Sequence, residues 1–365
     1  TLPLIPGSAA IDMGMAVAGL TTDQRGFQRP VDLADVANAP GGNASDIGAF
    51  ERQESEVSVP GTQRIDNVRV SDQKAGSVLV FPYYTSDLSG NFFQSDTLIT
   101  ITNVANGESR IDGIPNYQYL HLFFMKDCSP ADTFACLTPN GSLQILASTY
   151  DPGTTGYLIA IAVDVDGIPI QNNSFIGSAF VRDQANGIID SYGAEAFASL
   201  NSAPVPQSGG NAIIALDDVN YEAPPQEFSV QLQDPALADQ TIVLASVGGD
   251  LGAKMNSISQ ASVGLLYRAD ETPASFQPSL GSGCFITRSI TNQSIRIVPG
   301  SLSSFLKDSY GYIKFNVSGP AVGLLFSRQG ASGQPQNRFA GIRTLHKTNT
   351  GYTALFVPVF PPFCI

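Results

Sequence analysis

Two segments of this chain repeat one pattern. Asn140-Gly-Ser-Leu-Gln-Ile-Leu, Gly156-Tyr-Leu-Ile-Ala-Ile-Ala-Val and Gly177-Ser-Ala-Phe-Val-Arg182 occur in order. Asn292-Gln-Ser-Ile-Arg-Ile-Val, Gly311-Tyr-Ile-Lys-Phe-Asn-Val and Gly323-Leu-Leu-Phe-Ser-Arg328 follow in the same order. Only the spacers differ in length, as expected when strands are kept and surface loops drift. Thr241-Ile-Val-Leu likewise answers Thr97-Leu-Ile-Thr, and Ala354-Leu-Phe-Val answers Ala212-Ile-Ile-Ala. The repeat, on the order of 150 residues, far exceeds the 20–50 residues of a solenoid unit and matches a whole domain.

The repeated unit reads as β. Thr97–Thr102 alternates Ile99 and Ile101 with threonines, the pattern of a strand buried on one face. Tyr157–Val163 is apolar on both faces and is expected at the centre of its domain. Further strands are expected at Ser77–Tyr83, Tyr119–Met125, Ser142–Ala147, Ile176–Arg182 and Ala212–Leu216. In the second copy they are expected at Phe228–Leu232, Thr241–Val247, Ser262–Tyr267, Phe285–Thr287, Ser294–Val298, Tyr312–Val317, Val322–Arg328 and Thr353–Val359. Ser191–Leu200 reads as a helix, and Ser301–Lys307 as one or two helical turns. With 35 Gly, 24 Pro and only 14% charged residues, the composition favours many short strands. The fold class is therefore all-β, with two tandem, internally duplicated sandwich domains, Ig-like or jelly-roll, over residues 63–220 and 221–365. There is no Trp, so the buried tryptophan of true immunoglobulin domains is missing.

Residues 1–53 form a separate block, joined by a polar link at 54–62 that contains Pro60-Gly61. The block carries Ala10-Ile-Asp12-Met-Gly14, Asp23-Gln-Arg-Gly-Phe-Gln-Arg-Pro30 and Asp46-Ile-Gly-Ala-Phe-Glu51. This series resembles the closing coils of bacterial extracellular right-handed parallel β-helix proteins with a "choice-of-anchor Q" region. The match covers residues 8–51, with Gln28 where the usual form has Pro. The resemblance implies a terminal β-helix coil, whose open edge and apolar face need a partner. Two partners are open: the chain's own domains, or another copy in a fibre. The chain starts at Thr1 without a charged, apolar leader and reads as a mature or excised segment.

A net charge of −13 argues against a nucleic-acid partner, which needs clustered cations. No apolar run approaches the roughly 20 residues of a membrane-spanning helix. The four cysteines, Cys128, Cys136, Cys284 and Cys364, are even in number and form no CxxC. Cys128 with Cys136 would clip a hairpin, and Cys284 with Cys364 would tie down the last strand; free thiols are the alternative.

Catalytic motifs are sparse. His121 shares a strand face with Tyr119 and Phe123 and reads as a hydrogen-bonded sheet histidine, while His346 lies in a polar stretch. Neither accompanies a Gly-x-Ser-x-Gly elbow. The Ser-x-x-Lys matches at Ser71–Lys74 and Ser304–Lys307 lack supporting motifs, and no P-loop occurs. Asp164-Val-Asp166-Gly167 opens as some calcium loops do, but it equally makes a hairpin turn; Asp164 and Asp166 are thus calcium candidates, and no other cofactor is indicated. Phe81, Tyr83, Tyr84, Phe92 and Phe93 form an aromatic cluster suited to a glycan or an interface, or to a core. Sequons at Asn43, Asn140, Asn172, Asn292 and Asn316 suit turns as well as glycosylation.

The expectation is an extracellular, non-enzymatic bacterial structural protein whose partners are copies of itself, assembled into a surface fibre through the N-terminal block. A carbohydrate-binding or adhesive surface module is the alternative.

Overall fold

The computed structural model describes residues 4, 8–15, 17, 19–24, 26–33, 36–52, 69–88, 95–108, 110–111, 114–184, 187–259, 264–278, 280–290, 295–298, 300–307, 309–329 and 339–364. The chain is all-β and forms two compact units, Thr1–Ile65 and Asp66–Ile365. The linker expected at 54–62 lies outside the described residues, and the boundary expected near 221 falls inside the second unit.

In the first unit residues of its three motifs meet in one buried polar core. Asp46 accepts from Asp12 N at 2.8 Å and from Arg52 N at 2.6 Å. Glu51 accepts from Val31 N at 2.9 Å and Asp46 N at 3.0 Å, and its own N–H donates to Asp23 at 3.1 Å. Arg29 Nε lies 3.1 Å from Glu51 Oε2, and its Nη1 donates to Gly48 O at 2.6 Å. Carboxylates thus satisfy backbone donors that a β ladder would otherwise serve. Burial raises the Asp12 and Glu51 pKa values above the usual carboxylate range, although backbone donors oppose the shift. Ile11, Leu33, Ala44 and Phe50 supply the apolar part of this core.

The second unit contains five larger sheets. The central sheet runs Glu195–Phe197, Val78–Thr85, Thr155–Val163, Gln118–Lys126, Ser129–Leu137, and the flanking sheet runs Ile188–Gly193, Phe175–Asp183, Ser95–Asn103, Ser142–Leu146. Their facing side chains, among them Leu79, Phe81, Leu158, Ile99 and Val181, share one core. The second half repeats this order. A six-stranded sheet runs Ile295–Val298, Pro273–Pro278, Gly264–Arg268, Tyr310–Asn316, Pro225–Gln233, His346–Thr350, opposite a sheet of Phe285–Ser289, Ala238–Ser246, Ala321–Gln329 and Phe339–Thr344. Phe228, Leu266, Ile313, Ile242 and Leu325 form the core between them, together with Leu302 and Leu306 of the short helix Leu302–Leu306.

Two glycines confirm the correspondence. A Cβ on Gly156 would sit 2.0 Å from Met125 O, and one on Gly311 would sit 2.1 Å from Tyr267 O. Each glycine lets the middle strand approach the same neighbour in its half, where a side chain would drive the strands apart. The first block of the repeat does not correspond in this way. Ser142–Leu146 pairs with Leu98–Thr102, whereas Ile295–Val298 pairs with Ser275–Pro278 at the edge of another sheet. Phe285–Ser289, paired with Thr241–Ala245, occupies the matching place.

The halves are interlocked. Asn211–Leu216 and Thr353–Pro358, the strands that end the two repeats, pair antiparallel, Ala215 opposite Ala354, and Gly249–Asp250 joins them in parallel. This shared sheet covers the second face of the central sheet: Ala212, Ile214, Leu355 and Val357 pack with Val78, Val80, Ile159 and Ile161. The central strands are consequently apolar on both faces, as Tyr157–Val163 indicated. Both disulfides also join the halves, Cys128 to Cys284 and Cys136 to Cys364, at sequence separations of 156 and 228. This corrects the expected pairing. Cys128 and Cys136 stand at opposite ends of the strand Ser129–Leu137, and a strand rising about 3.3 Å per residue cannot close on itself.

Ser191–Leu200 is not a helix. Its residues belong to Ile188–Gly193 and Glu195–Phe197, the latter paired with Val78–Val80. The buried Glu195 carboxylate meets Lys347 of the corresponding edge strand in the other half, giving an ion pair between the two edge strands. Burial raises the Glu195 pKa and Lys347 opposes the shift. No helix of the described residues is long and apolar enough to cross a membrane.

Candidate functional site

The expected aromatic cluster is not a surface. Phe81, Tyr83 and Tyr84 lie on the central strand Val78–Thr85, every residue of which is buried. Tyr83 Oη donates to Asp183 Oδ2 at 2.7 Å, and Tyr84 Oη donates to Asp151. Burial first, then these carboxylates, push both phenols far above the usual tyrosine range. Because this sheet is covered on both faces, none of the three can meet a ligand. Phe92 and Phe93 lie outside the described residues.

Asp164 and Asp166 form a turn. Asp164 Oδ1 accepts from Asp166 N and Ile168 N, each at 2.9 Å, and Gly167 takes φ +82°. The Asp164 carboxylate is therefore engaged in closing its own hairpin. Among the described residues, no group of three or more His, Cys, Asp or Glu side chains could hold a metal ion.

His121 is fully buried, with its ring stacked on Phe134 at 4.2 Å and its Nε2 2.8 Å from Asp132 Oδ2. Burial lowers its pKa, with Asp132 pulling the other way. An imidazole sealed in this way has no route to a substrate.

The accessible chemistry lies elsewhere. The shared sheet covers the central sheet, whereas no sheet among the described residues covers the corresponding face of the six-stranded sheet. Along Tyr310–Asn316 the burial alternates: Ile313 and Phe315 enter the core, while Tyr310 is 67% exposed and Tyr312 42% exposed. Tyr267 stands opposite Tyr312 on the neighbouring strand, their rings stacked at 5.1 Å with 17° between planes. On the other side Gln231 pairs with Tyr312, and Gln233 with Tyr310. Lys314, one step along the same face, is held by Glu227 at 2.9 Å.

These tyrosines line a cavity of about 430 Å³ together with Arg268, Glu271 and Arg343. A second cavity of about 530 Å³ adjoins it where the two halves meet. Ser191 and Tyr192 from the first half, and Ser229, Thr344 and His346 from the second, form much of its wall. Gln231 and Arg343 border both cavities, so together they form one groove. The groove offers an aromatic platform followed by hydroxyl, amide and guanidinium groups. Such a lining suits a flat, partly apolar, hydroxyl-rich molecule.

The sequence did carry a signal for this face. At the places of Tyr157, Ile159 and Ile161, the second copy has Tyr312, Lys314 and Asn316. Polar replacement on one face only marks the strand whose cover is missing. The chain matches no family model and no characterised protein.

Proposed function

We propose that this protein is an extracellular binding module that holds a saccharide against the open face of its six-stranded sheet. The stacked pair Tyr267–Tyr312 carries the reading. Pyranose rings present an apolar C–H face and a rim of hydroxyls. Tyrosine supplies a rigid ring for the first, and Gln231, Ser229 and Thr344 supply partners for the second. Two disulfides between the halves favour an oxidising location such as the cell exterior. A glycan array probed with the full chain tests the reading. Selective binding that falls at least about tenfold in Tyr312→Ala supports it, the size expected from losing about 1–2 kcal/mol of stacking. Uniformly negative arrays would remove its basis.

A second reading is favoured by the first unit, where Met15 and Val17 are each 70% exposed and Leu20, Phe27 and Ile47 are also open. Such an apolar surface on so small a unit suits stacking against another β coil, as in the closing coils that residues 8–51 resemble. On this reading the chain assembles into a fibre or matrix and the groove serves the assembled surface. Negative-stain imaging of the protein with and without residues 1–53 decides it. Filaments that vanish on truncation support assembly; identical particles in both samples exclude it.

A further inference from the structure

Resting on the saccharide reading above, we infer that the ligand carries a carboxylate, as a uronic acid does, and that Arg343 receives it. Arg343 is exposed at the border of the two cavities, and its side chain makes no hydrogen bond or ion pair with any described residue. Three other cations of the second half are already committed. Arg268, which lines the smaller cavity, leans towards Asp270 at 3.8 Å, while Lys314 and Lys347, outside both linings on strands of the six-stranded sheet, are paired with Glu227 and Glu195. In a chain of net charge −13, a guanidinium left unpaired at the centre of a polar groove is the best-placed group for an anion.

Charge also limits how acidic the ligand can be. Asp72 lines the larger cavity and Glu271 the smaller. Together with the overall negative field, they repel a ligand charged on every residue, such as a heavily sulfated chain. One carboxylate near Arg343, flanked by neutral rings on Tyr312 and Tyr310, satisfies both the cation and the acids. The planar fork of arginine binds such a group through two parallel N–H donors.

The test uses the full chain and paired oligosaccharides, each containing a glucuronic or galacturonic acid or its carboxyl-reduced counterpart, with affinities measured by calorimetry. The acid member of a pair is expected to bind about tenfold more tightly, the scale of one charge-assisted contact. Arg343→Gln should bring that ratio close to one, and Arg343→Lys should restore part of it. Tyr312→Ala should weaken both members and keep the ratio. Equal binding of acid and reduced forms by the native chain overturns the carboxylate inference while the saccharide reading stands. Failure of every pair, acid and neutral, overturns both. A ratio unchanged in Arg343→Gln, with the variant melting as the native chain does, removes Arg343 from the assignment.

Discussion

Tyr157 and Tyr312 occupy matching places in the two halves, each following the glycine that lets its strand approach a neighbour, yet Tyr157 is sealed and Tyr312 faces solvent. Tyr157 packs near Phe285 in the core between the central sheet and the shared sheet, whereas Tyr312, stacked on Tyr267, is 42% exposed. The cause is the pairing of the two terminal strands, Asn211–Leu216 and Thr353–Pro358, into one sheet. Both of these strands pack on the face of the central sheet that carries Tyr157.

The same mutation at these two positions should therefore have opposite effects. Tyr157→Ala opens a cavity in a two-sided core and should cost about 3–5 kcal/mol of stability. Tyr312→Ala removes an exposed ring and should change stability by about 0.5 kcal/mol or less. Urea unfolding of both variants checks this; equal losses would mean that the two faces are not differently covered.

Both disulfides should hold the halves together after the chain is cut between them. Each closes a long loop, and its removal should cost roughly 2–5 kcal/mol. Peptide mapping without reductant should yield Cys128 joined to Cys284 and Cys136 joined to Cys364. A Cys128–Cys136 peptide would contradict the interlocked arrangement.

His121 should give the second unit an acid-sensitive step. Its pKa is lowered in the folded chain by burial among Phe123, Phe134 and Phe360, with Asp132, the one acid facing it among the described residues, opposing the shift. A depressed value contributes stability that is present above the unfolded histidine pKa of about 6.5 and is lost as pH falls through the folded value. Chemical unfolding at pH 7.5 and 5.0 should show a loss on acidification that is smaller in His121→Phe. An equal loss in both proteins would assign the effect to other groups.

In the first unit, Arg29→Met should leave Glu51 buried without its cation and cost about 3–5 kcal/mol, the usual penalty for removing one partner of a buried pair. Hydrogen exchange over residues 8–52 should rise while that of the second unit stays fixed. Exchange unchanged in both would show that the backbone donors alone hold Glu51.

The strand positions were largely legible because apolar alternation is a local property. The two-sided Tyr157–Val163 strand and the short Leu302–Leu306 helix both follow from it. Partners were not legible. Ala194, Phe197 and Ala198 fall at helical spacing, but Phe197 is fixed by pairing with Val78, far away in sequence. The two cysteines nearest in sequence are held apart by the strand between them, and Phe81, Tyr83 and Tyr84 are buried in the core they share with Ile99, Phe175 and Val181 of the flanking sheet. The candidate groove depends on the same long-range pairing, so its only local trace is the polar face of Tyr312, Lys314 and Asn316.

The most direct test of this account is calorimetric titration of the native chain and Tyr312→Ala with the saccharide that ranks highest on the array. The account predicts saturable binding by the native protein and at least about tenfold weaker binding by the variant, with the melting temperatures equal. Equal affinity in the two proteins, or no saccharide bound by the native chain, would contradict it.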